Sequence, residues 1–154
     1  QQIEEIENTV RQFNRSAALL RSDHLPTRLL EFPSQITPIT NLAGQPVAAL
    51  SAIGNPAAFE QTLQACGAKI VDARRLPDHD AYSPSTVGDV KQWIRSLGDK
   101  VSRVVCTHKD LVKLKTDRIG GRPLAAVLIE LEVTRGRDEL DAALQRIAAT
   151  IAER

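Results

Sequence analysis

The chain has 154 residues, 42% hydrophobic and 25% charged, with a formal net charge of +1; that is length for one domain with a real core and the composition of an ordinary water-soluble globular protein. The near-neutral charge carries no phosphate-backbone footprint, and three Phe, one Tyr and one Trp leave little for base stacking, so nucleic acid is not an expected partner. No apolar run approaches the ~20 residues of a membrane span, no signal peptide is visible, and the two Cys and three His lack ligand spacing, so no metal site is expected.

Ile3, Ile6, Val10 and Phe13 recur at spacings of three and four, which predicts an amphipathic helix over residues 2–13. Glu4, Glu5 and Glu7 suit its positive amino end. Residues 16–21 are short, apolar and compatible with a strand. His24-Leu25-Pro26 and Phe32-Pro33 then break regular structure, so residues 21–44 read as an extended linker anchored by Leu29, Leu30, Phe32 and Ile36. Such a length is unusual inside a compact domain and natural in a connector. The chain starts at Gln1 and contains no Met, as expected of a fragment or a processed chain. The expected division is a helix and inter-domain linker over 1–44 and an α/β domain over 45–154.

From Gln45 the pattern becomes regular. Residues 46–53 form a buried-type strand. Asn55 is a natural N-cap and Pro56 a natural first helical residue; Ala58, Phe59, Leu63 and Cys66 make the inner face of the helix, and Gly67 ends it. Residues 69–73 are a second strand and 76–82 a loop. Ser83-Pro84 opens a helix through Val87, Val90, Trp93, Ile94 and Leu97 to Gly98. Residues 101–106 are a third strand, and Thr107 to Asp110 cap a short helix. Residues 124–133 are a fourth strand whose later half alternates as an edge strand would. The last helix spans 138–152, with Leu140, Leu144, Ile147, Ala148 and Ile151 facing inward. Cys66 and Cys106 are expected as buried free thiols. Four strands each followed by a helix predict a three-layer α/β fold of Rossmann-like or flavodoxin-like type: a mainly parallel four-stranded sheet with helices on both faces, preceded by a helix and an extended linker.

Ligands of open parallel sheets bind at the carboxyl ends of the strands. Three loops leave those ends: Gly54-Asn55-Pro56, Pro77-Asp78-His79-Asp80 and Thr107-His108-Lys109-Asp110. With strand order 2-1-3-4 they are neighbours. Asn55 is either a plain cap or part of an anion-binding helix end. Asp78 beside His79 is either a turn whose carboxylate bonds its own backbone or an acid that orients an imidazole for proton transfer. Tyr82 is either a hydrogen-bond donor or a lid on the core. Lys109 and Lys113, four apart on one helix face, either meet a phosphate or form a solvated edge. No G-x-x-x-x-G-K-S/T, no G-x-G-x-x-G and no nucleophile elbow is present, so a complete enzyme is hard to build from these residues alone.

Residues 52–59 (A-I-G-N-P-A-A-F), 63–68 (L-Q-A-C-G-A), 76–82 (L-P-D-H-D-A-Y) and 107–114 (T-H-K-D-L-V-K-L) together resemble the carboxyl-terminal half of the tetraacyldisaccharide 4'-kinase, or lipid A 4'-kinase, family. Its corresponding stretches read approximately G-I-G-N-P-x-x-F, L-x-x-x-G-A, F-P-D-H-H-x-Y/F and T-E-K-D-A-V-K-L. The match is good over residues 45–114 and holds in outline elsewhere. The resemblance implies a P-loop kinase at the cytoplasmic face of the bacterial inner membrane. It transfers the γ-phosphoryl of ATP, with Mg²⁺, to the 4'-hydroxyl of a tetraacyldisaccharide 1-phosphate in lipid A assembly. It also implies an amino-terminal domain, not contained here, that holds the P-loop, the Mg²⁺ ligands and the membrane-associating segment. The present chain would be the lid on the substrate side, inactive alone. The family's His in the P-D-H motif is thought to work with an Asp of that amino-terminal domain on the acceptor hydroxyl. That role falls on His79, with Asp78 beside it, while Asn55, Lys109 and Asp110 line or support the nucleotide-side cleft. Three positions depart from the pattern: Ala52 replaces the first Gly, Asp80 the second His, and His108 the Glu. The competing expectation is a stand-alone α/β domain that binds a small ligand or partner without catalysis. An independent enzyme built on Asp78, His79 and Lys109 has no nucleophile or cofactor motif to support it.

Overall fold

The computed structural model describes residues 2–152. In chain order it contains α1 (Gln2–Phe13), β1 (Arg21–Glu31), β2 (Gln35–Pro38), β3 (Pro46–Ser51), α2 (Pro56–Ala65), β4 (Lys69–Arg75), α3 (Pro84–Leu97), β5 (Arg103–Thr107), α4 (His108–Leu114), β6 (Arg118–Ile119), β7 (Arg122–Arg135) and α5 (Arg137–Ala152). The chain divides into two compact units. One is drawn from both ends of the chain, up to Leu25 and from Leu131 onward; the other runs from Pro26 to Glu130.

The larger unit carries the sheet, in the order β2-β1-β7-β5-β3-β4, with β6 on β7. The four strands expected from the sequence are β3, β4, β5 and β7. They lie side by side in the order 2-1-3-4, the order that makes the three loops neighbours, and pair parallel. The sheet as a whole differs from the expectation. It has seven strands rather than four, and it is mixed, because β1 with β2 and β6 with β7 pair antiparallel. The supposed linker is mostly this β1–β2 hairpin. Phe32-Pro33 is its turn rather than a break in regular structure, and Leu29, fully buried, anchors it. Residues 16–20 are not a strand; β1 begins at Arg21. In β7, β5 pairs only with Leu124 to Val127, and the other neighbour is β1, so the later half has no β5 partner. That later half is not half-buried: residues 129–132 are exposed on both faces, with Ile129 at 47% and Leu131 at 63%.

Side chains alternate across a strand, and β3 is buried on both faces. Ala48 and Leu50 join Val104, Cys106, Leu124 and Ala126 under Val90 and Ile94 of α3 and Leu111 of α4. Val47 and Ala49 join Val105, Ala125 and Val127 under Phe59 and Leu63 of α2. Helices therefore cover both faces, and β3 reads as a continuous apolar run for that reason. Gly120 closes the turn before β7 at φ 58°, where a Cβ would come within 2.6 Å of the Ile94 Cβ. No larger residue fits there without moving α3.

In the smaller unit Glu7 of α1 accepts a hydrogen bond from Arg21 at 2.7 Å and a weaker one from Arg135 at 3.3 Å. Arg21 holds the Glu7 carboxyl below its usual value. No described residue of this unit is buried. The inward face expected on the last helix is therefore corrected: Leu144, Ile147 and Ile151 are 54%, 58% and 69% exposed. An apolar stripe at helical spacing specifies a face, but not whether anything packs against it.

Candidate functional site

Strand register brings the three loops together. Leu50 lies opposite Arg74 of β4 and Cys106 of β5, one residue short of the end of each strand. The polar segments that follow leave the sheet at the same edge. Each helix that starts there is capped by its own loop. Asn55 Oδ1 accepts from Ala58 N–H at 3.1 Å, Ser83 Oγ from Thr86 N–H at 3.2 Å, and Thr107 Oγ1 from Asp110 N–H at 3.3 Å.

The loop after β4 holds two non-glycine residues in the left-handed region, His79 at φ 61° and Tyr82 at φ 54°. Such backbone costs roughly 1–2 kcal/mol per residue and persists only where its surroundings hold it. Several contacts hold this loop. His79 N–H donates to the Ala52 carbonyl at 3.2 Å, Leu76 N–H to the Ser51 carbonyl at 2.8 Å, and Asp80 Oδ1 accepts from Tyr82 N–H at 2.6 Å. Lys113 of α4 reaches across to the Asp80 carbonyl at 2.7 Å.

These contacts shape an open cleft of about 330 Å³ lined by Ala52, His79, His108, Lys109, Val112 and Lys113. The His79 side chain is 75% exposed, and its Nε2 lies 3.8 Å from Asp78 Oδ2. That is too long for a hydrogen bond, and it is an ion pair only with a protonated imidazole. The Asp78 carboxylate packs against Gly54, where even a methyl group would come within 3.3 Å of Oδ2. Beneath the cleft Asp110 is completely buried. Its Oδ2 accepts from Thr107 Oγ1 at 2.7 Å and from Ala52 N–H at 3.4 Å. Oδ1 of Asp110 and Oη of Tyr82 are both buried without a hydrogen-bond partner. They are still close enough to interact electrostatically: burial first, and then Asp110, push the Tyr82 phenol far above its usual value. Burial, and then the same carboxylate, raise the Cys106 thiol.

Of the residues singled out from the sequence, His79, His108, Lys109 and Lys113 line the cleft. Asp78 stands beside His79. Asn55 is used as a helix cap and is not among the lining residues. Asp110 supports the cleft from below. Ala52 was invisible as a site residue, because it acts through its peptide groups, which carry no signal in a side-chain pattern.

Fold and loops together define a class: a mixed α/β domain with an open, lysine- and histidine-lined cleft at the carboxyl ends of parallel strands. The tetraacyldisaccharide-1-P 4'-kinase family matches residues 2–149, and the chain belongs to that family. The tetraacyldisaccharide 4'-kinase of Anaeromyxobacter dehalogenans strain 2CP-C is 37% identical over 131 residues, which are 82% of this chain and 34% of the relative. The enzyme of the same name from Chelativorans sp. strain BNC1 is 39% identical over 98 residues, 64% of this chain and 28% of the relative. The chain thus spans about a third of the length of these curated relatives. The crystal structure of "apo" form LpxK from Aquifex aeolicus in complex with ATP shares the fold, with a TM-score of 0.57 at 21% identity over 94% of this chain and 44% of that one.

Proposed function

We propose that this chain is the carboxyl-terminal, acceptor-side part of a lipid A 4'-kinase, which phosphorylates the 4'-hydroxyl of a tetraacyldisaccharide 1-phosphate at the cytoplasmic face of the bacterial inner membrane. The observation that carries the reading is the convergence of His79, His108, Lys109 and Lys113 on one cleft in a chain of this family. Phosphoryl transfer is mostly positioning and charge stabilisation, and a cleft wall of this composition serves both needs. His79 receives or steadies the proton of the acceptor hydroxyl. Lys109, which makes no ion pair or hydrogen bond among the described residues, offers its ammonium to phosphoryl oxygens.

The nucleotide fits this wall only in part. The two lysines suit phosphate, but the chain has no P-loop sequence. Among the described residues there is no group of three or more His, Cys, Asp or Glu suited to a metal ion. Binding of ATP and of Mg²⁺, and attachment to the membrane surface, are therefore assigned to a P-loop domain that completes the enzyme. No helix among the described residues is long and apolar enough to cross a membrane. The chain acts as the lid over that domain and has no kinase activity alone.

The test is turnover of the longer kinase carrying this chain. His79→Ala should slow turnover by about 10²-fold or more, the usual contribution of a positioned proton-transfer group, with the unfolding midpoint of the 154-residue chain unchanged. Wild-type turnover in that variant would remove His79 from the reaction.

A further inference from the structure

Asp110 is a completely buried carboxylate with no cationic partner among its contacts. Burying such a group is expensive unless its interactions repay it. Capping does not account for it. Thr107 already caps α4 through its own hydroxyl, and Ser83 caps α3 with no buried acid beneath it. What Asp110 does touch is the peptide on which the strained loop hangs. Ala52 uses both of its backbone groups. Its N–H donates to Asp110 Oδ2 at 3.4 Å, and its carbonyl accepts from His79 N–H at 3.2 Å. Thr107 Oγ1, at 2.7 Å from the same Oδ2, fixes the carboxylate where the Ala52 peptide can reach it. The path Thr107–Asp110–Ala52–His79 ties the loops after β3, β4 and β5 into one unit, and it ends on the residue held at φ 61°.

We propose that Asp110 is a positioning residue: through the Ala52 peptide it holds His79 in the left-handed conformation that presents its imidazole to the cleft. Asp110 is therefore not a ligand for nucleotide or metal; its carboxylate is completely buried. The proposal rests on the reading of His79 as the proton-handling group, and the experiment separates the two.

In the 154-residue chain, Asp110→Ala removes the Oδ2 acceptor altogether, whereas an Asn could keep an oxygen at that position because Oδ1 has no partner. Amide exchange at His79 and Ala52 should accelerate at least ~10-fold, as a local opening does, while Val47 and Leu63 on the other side of the sheet keep their protection. In the longer kinase the same change should lower kcat by roughly 10–100-fold, the size of effect a small misplacement produces, with KM for ATP within about threefold of wild type. Added to His79→Ala it should cost nothing further, because both changes act on one group. Unchanged exchange at His79, or losses that multiply in the double variant, would overturn the proposal. If His79→Ala alone keeps full turnover, the proton-handling reading fails, and amide exchange still decides whether Asp110 holds the loop. Should Asp110→Ala fail to fold, Thr107→Val removes the short bond that aims Oδ2 and should release the His79 amide in the same way.

Discussion

Tyr82 shows at the scale of one residue what the cleft's foundation is made of. It is the chain's one tyrosine, its hydroxyl is buried, and burial and the Asp110 carboxylate both disfavour its phenolate. An acid whose folded value lies above its unfolded value, near 10, binds its proton more tightly when folded. The stability it contributes is fully present below pH ~10 and is lost as the pH rises beyond that point. Ultraviolet titration should show no phenolate absorbance near pH 10 in the folded chain. The absorbance should appear only together with the loss of far-ultraviolet ellipticity at higher pH. A normal tyrosine titration in the folded state would contradict the burial of the hydroxyl. The residue letters Asp78-His79 and Lys109 were readable as candidates, because imidazole, carboxylate and ammonium advertise their chemistry. The structure separated their roles: His79 and Lys109 line the cleft, while Asp110 lies beneath it.

At the scale of elements, each strand-end loop does two jobs, starting a helix and facing the cleft. Asn55 does the first. Its side-chain oxygen caps α2, ahead of Pro56 at the first helical position. Asn55→Ala should therefore lower stability by about 1 kcal/mol, the usual worth of a cap, read from urea unfolding of the chain. Asn55→Asp, which keeps the accepting oxygen, should restore most of that. If both variants unfold like wild type, the cap carries no weight and the residue is free for another role. Cap and turn residues were legible in sequence because they depend on neighbours two or three positions away. The β1–β2 hairpin was not. Its prolines suggested a break, and what makes β1 a strand is pairing with β2 and β7, contacts far apart in the chain.

At the scale of the whole chain, burial is uneven. Every described residue that is buried lies between Pro26 and Glu130, and none lies in the unit formed by the chain ends. Opening free energies follow buried apolar contacts. Amides of β3, β5 and the central part of β7 should exchange only by global unfolding, while those of α1 and α5 exchange by local opening orders of magnitude faster. Replacing Leu144, Ile147 and Ile151 together by Gln should leave the unfolding midpoint of the larger unit unchanged, whereas Leu63→Ala should cost about 2–5 kcal/mol. Equal protection in both units would show that the exposed stripes are covered in solution.

The sequence by itself determined the α/β class, the four strands that pair parallel, the helix caps, and the family motifs around His79. These rest on periodicity, on local capping chemistry and on residue identity, all of which operate over a few positions. Only the tertiary structure decided that the sheet is mixed and seven-stranded, that the last helix keeps its apolar stripe exposed, and that Asp110 supports the cleft rather than lines it. Those outcomes depend on which distant segments meet: a strand needs its partner's amides, an apolar face needs something to cover it, and a carboxylate's role depends on whether water or the Ala52 peptide stands opposite it.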